Sequence, residues 1–214
     1  MRRSTLKATS LVASLLATGL VLTACGGSAD AEKEKPKAEP TVEVPTPETW
    51  PFTGLDVAEG EDVERERPVL VVKIDNSGKA SQSGLSKADL VFEELVEGGT
   101  TRLAAFYYSE LPEVVGPVRS MRASDIGIIA DTGAHVVTSG AAPVTIQRIT
   151  KAGITFHEEG AAGIFRDTSR PRPYNLMANL EQLAAKAKAE PARPDDYFAF
   201  GTAEELPAGS SSAP

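Results

Sequence analysis

The chain has 214 residues, with 22 Lys and Arg against 30 Asp and Glu, a formal charge of −8, and one cysteine. One cysteine excludes an intrachain disulfide, a cysteine-based zinc site and a thioredoxin-like pair, so an apolar core must hold the fold. The acidic balance excludes sequence-independent nucleic-acid binding, which needs a basic footprint.

Arg2, Arg3 and Lys7 open the chain, and an apolar stretch rich in Ser, Thr and Ala runs from Ala8 to Leu22. That pattern predicts an export signal, too short for a comfortable membrane-spanning helix. It ends Leu22-Thr23-Ala24-Cys25, followed by Gly26 and Gly27, and resembles the lipobox of bacterial lipoproteins. In that motif a small residue precedes the cleaved bond, and the thiol just after it receives a diacylglyceryl group. Residues 1–24 are thus expected to be a signal peptide and Cys25 the lipidated, palmitate-bearing anchor at the extracytoplasmic face of the cell membrane. The other reading is an ordinary secretory signal with a chance cysteine. Without residues 1–24 the chain keeps 19 basic and 30 acidic residues, a formal charge of −11. An anionic bilayer repels such a chain, which leaves attachment to the lipid, and stable anchoring needs more than one acyl chain.

Residues 25–50 carry the anchor and a Pro/Glu/Lys-rich stretch with Pro36, Pro40, Pro45 and Pro47 and no apolar periodicity. They predict a disordered tether. In polyproline form, at ~3.1 Å per residue, it reaches up to about 75 Å from the membrane. It could extend into a cell wall or serve as a passive spacer.

A folded domain is expected over residues 51–200. Val69–Ile74 is a β-branched run closed by Asp75-Asn76-Ser77-Gly78, a strand and turn. Ser86–Asp89 predicts a short helical turn. Leu90–Val96 and Arg102–Tyr108 predict two strands joined as a hairpin through Glu97-Gly98-Gly99-Thr100. After Gly116-Pro117, Ser120 is placed to cap a helix carrying Met121, Ile126, Ile128 and Ile129 and stopping near Gly133. Ala134–Thr138 predicts a strand, and Ser139–Pro143 a turn into a helix through Ile146 and Ile149 that ends at Gly153. Asn175 predicts the cap of a last helix with Leu176, Leu180, Leu183, Ala184 and Ala187 on one face and Pro191 beyond its end. Strands and helices partly alternate, which predicts a mixed α/β sandwich. Residues 201–214 read as a flexible tail or a truncated linker.

The polar residues at predicted element ends are the candidate binding set: Asp75, Asn76, Arg102, Arg119, Arg122, Arg166 and Asp167. Arg119 and Arg122 beside a helix start would form an anion pocket for a carboxylate or phosphate, with Ser139 and Gly140 adding backbone donors. Alternatively the arginines pair with Asp75, Glu93, Glu97 or Asp167 to fix loops. His135, at the start of an apolar strand, reads as structural, and His157-Glu158-Glu159 as a solvated loop without metal-site spacing. Ser139 lacks the Gly-x-Ser-x-Gly setting of a nucleophile elbow. Asp75, Asp131 and Asp167 could pair as glycosidase carboxylates only at a suitable separation. No cofactor and no metal are expected.

Five stretches occur in order: Lys73-Ile74-Asp75-Asn76, Gln82–Asp89, Glu97–Arg102, Gly116–Arg122 and Phe165-Arg166-Asp167. Together they resemble the YerB-like family of bacterial lipoproteins over roughly residues 65–180. The resemblance implies an envelope location and a domain with no assigned reaction, followed by a second, C-terminal domain where this sequence has only the 201–214 tail. Members often carry His-Asn-Leu where Tyr174-Asn175-Leu176 stands here. The function expected is a binding or scaffolding module for an anionic cell-wall polymer or an envelope protein. The rival is a hydrolase of wall glycan or phosphodiester bonds using Asp75 or Asp167.

Overall fold

The computed structural model describes residues 48–201; the signal peptide, Cys25, nearly all of the tether and the tail after Gly201 lie outside the described residues. The β-branched run forms β1 (Leu70–Asp75), buried at every position. A strand covered on both faces has no reason to alternate, which is why it reads as continuously apolar. Next come β2 (Leu90–Leu95), β3 (Thr101–Tyr107), β4 (His135–Val137) and β5 (Phe156–His157). They form one sheet in the order β2-β3-β1-β4-β5. β3 runs antiparallel to β1 and β2, whereas β1, β4 and β5 are parallel.

The period-two geometry of β1 divides the core. Leu70, Val72 and Ile74 pack with Leu103, Tyr107, Leu176, Leu180 and Leu183 on one face. Val71 joins Phe106, Val136, Met121, Ile129 and Ile149 on the other, together with Trp50 and Phe52. The first face is covered by a small antiparallel sheet, β6 (Ile164–Arg166) with β7 (Leu176–Ala178), and by α3 (Leu180–Ala184). The second is covered by α1 (Asp125–Ile129) and α2 (Pro143–Lys151). The mixed α/β sandwich is therefore the observed architecture. Trp50, where the tether was expected to give way to the folded part, is buried in the core.

Three local expectations are corrected. The last helix does not start at Asn175: Leu176–Ala178 is a strand, and Asn179 caps α3 by accepting from the Gln182 amide at 2.9 Å. Leu176, Leu180 and Leu183 share one core although they belong to a strand and a helix, so their spacing imitates a single helical face. The helix after Gly116 begins at Asp125, not at Ser120. Its expected first turn is extended because the Arg119 amide bonds Lys73 O at 2.8 Å and the Met121 amide bonds Gly140 O at 3.1 Å. His157 lies in β5 rather than in a loop.

Candidate functional site

β1 and β4 are parallel neighbours whose chains depart in opposite directions, β1 toward β2 and β4 toward β5. In open α/β sheets, the carboxyl ends of strands at such a divergence leave a crevice where ligands bind. Asp75 closes β1 at this edge, Ser139 follows β4, and the segment Gly116–Arg122 lies across both. Register brings Arg102 of β3 beside Asp75, and Glu94 of β2 beside Arg102. Alternation then puts Lys73, Asp75, Glu94 and Arg102 on the face covered by α1.

Beneath the rim is an ion network that the sequence reading missed. Lys73 is fully buried and donates to Glu94 and, at 2.6 Å, to Asp125 Oδ1. Ser124 Oγ donates to Glu94 Oε2 at 2.6 Å, and the Arg122 amide donates to Asp125 Oδ2 at 2.6 Å. Burial pushes the Asp125 carboxyl up, opposed by the Lys73 charge. The signal was a lysine inside a β-branched run: a strand buried on both faces can hold an ammonium only against carboxylates.

On the rim, Arg119 Nε stands 3.3 Å from Asp75 Oδ1, and its guanidinium carbon lies 5.5 Å from the Tyr174 ring centre. Asp75 also accepts from the Ser77 amide and hydroxyl. Arg122 grips exposed Glu97 with Nε at 2.8 Å and Nη2 at 2.6 Å, and this clamp lowers the Glu97 carboxyl to about 2. Arg102 is buried, donates to Ser120 O at 2.6 Å, and makes no ion pair among the described residues. Burial lowers its pKa, and the charges of Arg122 and Arg119 lower it further. Asn76 ties the hairpin to β1 through Thr101 Oγ1 at 2.8 Å and Glu93 Oε1 at 3.0 Å.

The structure thus brings Asp75, Asn76, Arg102, Arg119 and Arg122 to one edge. Arg166 stands apart: it clamps Glu159 and donates to Asn175 Oδ1 at 2.8 Å, beside the Tyr174 that Arg119 faces. Asp167 pairs with Arg170 at 3.2 Å and accepts from Ser169, whose hydrogen bonds lower its pKa. Two details of the expected pocket are corrected. Arg119 and Arg122 precede α1 rather than flank a free helix start, and the Arg122 amide is already spent on Asp125. The Ser139 and Gly140 amides are spent as well, on Arg119 O and Thr138 Oγ1. These three amides are therefore not free to receive an anion. Ser139 Oγ lies 3.1 Å from Ser120 Oγ, an exposed hydroxyl pair beside the arginines.

His135 Nδ1 and His157 Nε2 meet at 3.1 Å across β4 and β5. Burial lowers both pKa values, and the partner ring adds to the effect on His135. Among the described residues, no cluster of three or more His, Cys, Asp or Glu could hold a metal ion, and no helix is long and apolar enough to cross a membrane.

A family model described as "Protein of unknown function (DUF3048) N-terminal domain" matches residues 52–193. The Bacillus subtilis (strain 168) protein named "Putative lipoprotein YerB" is 33% identical over 169 residues, covering 75% of this chain and 50% of that protein. A crystal structure of the YerB protein from Bacillus subtilis matches with a TM-score of 0.56 at 30% identity, over 68% of this chain and 53% of the other. The chain spans about half the length of these relatives.

Proposed function

Because this chain belongs to the DUF3048 N-terminal domain family, with a relative named as a lipoprotein, we propose that it is a lipoprotein. Lipid on Cys25 anchors it to the extracytoplasmic face of the cell membrane, and its sheet edge binds an anionic component of the envelope. The carrying observation is Arg102: a buried guanidinium with no carboxylate ion pair among the described residues, repelled by Arg119 and Arg122. An arriving phosphate or carboxylate relieves that repulsion and accepts from Arg102 and Arg119, and from Arg122 once it displaces exposed Glu97 from that fork. Arg166, next to the Tyr174–Asn175 segment, extends the surface for a polymer longer than one anionic group.

Arg119→Ala with Arg122→Ala tests this reading. Full-length protein in detergent carrying both substitutions should lose co-sedimentation with isolated cell-wall material while its melting curve changes little. Retained co-sedimentation would contradict the assignment of the edge. For the anchor, cells fed labelled palmitate should label the wild type and not Cys25→Ser; equal labelling of both would contradict it.

A further inference from the structure

At the opposite edge of the sheet, before β1 and after β3, a cleft of about 470 Å³ is lined by Arg65, Arg67 and Lys188 over an apolar floor that includes Leu111 and Ala184. Arg65 Nε and Arg67 Nη1 are buried and have no hydrogen-bond partner among the described residues. Buried donors almost always find acceptors, and a guanidinium N–H without one carries an uncompensated desolvation cost. Aromatic rings fix both cations without supplying an acceptor: the Arg65 guanidinium carbon lies 5.2 Å from the Trp50 ring centre, and that of Arg67 lies 5.3 Å from Tyr108. Arg67 Nη2 donates to Tyr108 O at 2.5 Å, which secures one end of its fork. The half-buried Asp89, whose charge acts on Arg67, is taken by the Tyr108 and Ser109 amides and the Ser109 hydroxyl. Glu66 and Glu181 also line the cleft, but both are exposed, and neither forms an ion pair with its arginines or lysine among the described residues.

We infer that this cleft is a second anion site, taking the phosphate or carboxylate group of a small molecule whose aliphatic part rests on Leu111 and Ala184. Two stacked arginines supply the donor array and exposed Lys188 closes the rim, an arrangement suited to one compact oxyanion rather than a polymer. Burial, and then the Arg65 charge, lower the Arg67 pKa.

The test titrates full-length protein in detergent and chloride-free buffer with inorganic phosphate in one arm and acetate in the other. The readout is the arginine Nε–H NMR signals. Saturable shifts of the Arg65 and Arg67 signals are expected, and Arg65→Gln and Lys188→Gln should each weaken binding about fivefold or more. Lys188 is exposed, so its variant keeps the fold even if Arg65→Gln does not. Response to phosphate alone assigns a phosphate ester, response to acetate alone a carboxylate, and response to both an oxyanion site that does not discriminate. Absence of a saturable shift in both arms, or unchanged affinity in the variants that fold, overturns the inference. Arg119→Ala with Arg122→Ala should leave this binding intact, which separates failure here from failure of the carboxyl-edge site.

Discussion

Two sets of charges lie a few side chains apart at the same end of the sheet and serve opposite purposes. Lys73, Glu94 and Asp125 are closed off beneath α1, whereas the side chains of Arg119 and Arg122 stay about a quarter exposed, and the Glu97 held by Arg122 is 73% exposed. The buried set has nowhere to send its charge, so each member depends on the others. The rim set exchanges its partners with solvent at little cost. The same ion-pair chemistry thus specifies packing where water is excluded and leaves recognition possible where water remains.

The sharpest way to break the comparison is Lys73→Met. Two buried carboxylates lose their counter-ion, and unfolding in urea should show a loss of about 3–5 kcal/mol. Replacing Glu94 and Asp125 by apolar residues in the same chain should restore most of it. If Lys73→Met alone unfolds like the wild type, the network is not holding the sheet to α1. Asn179→Ala, which removes the α3 cap, should cost about 1 kcal/mol in the same assay.

At the rim, Arg122→Ala should change stability by less than about 1 kcal/mol. Its effect should appear in the Glu97 titration, which should move from about 2 up toward the ordinary 4.5 when followed by NMR. Because the folded value is depressed, what this pair contributes is present above the unfolded carboxyl pKa and disappears as pH falls toward 2. The histidine pair gives a further, smaller pH effect. Both folded values lie below the ordinary 6.5, so the unfolded chain takes up protons first, and stability should decline as pH falls from about 6.5. His135→Asn with His157→Asn should flatten that part of the urea-midpoint profile; an unchanged slope would place the titrating groups elsewhere.

Much of the sheet was legible in the sequence because its strands are β-branched runs ended by turn residues, as at Asp75–Gly78 and Glu97–Thr100. The hairpin, β4 and α2 were readable for that reason. The small sheet was not. β6 and β7 have three residues each, and Leu176 falls in helical phase with Leu180 and Leu183 by tertiary coincidence. The start of α1 was misplaced because a capping residue says nothing about whether long-range backbone partners, here Lys73 O and Gly140 O, have already claimed the following amides. Asp75 and Arg102 could be placed together because strand ends gather side chains. That Arg166 and Asp167 have separate partners depended on contacts seven and three residues away in loops without periodicity. Arg65 and Arg67 were passed over in an exposed-looking Glu-Arg-Glu-Arg run, although a change to Pro68 and the apolar strand follows directly.

The central claim is that the carboxyl-edge arginines recognise rather than support. It is tested most directly by measuring, on the same sample of Arg119→Ala protein, the melting temperature and the dissociation constant for an anionic wall polymer. The account predicts a melting temperature close to wild type and affinity weakened about tenfold or more. A protein that binds as before, or one that loses binding only because it has unfolded, would contradict it.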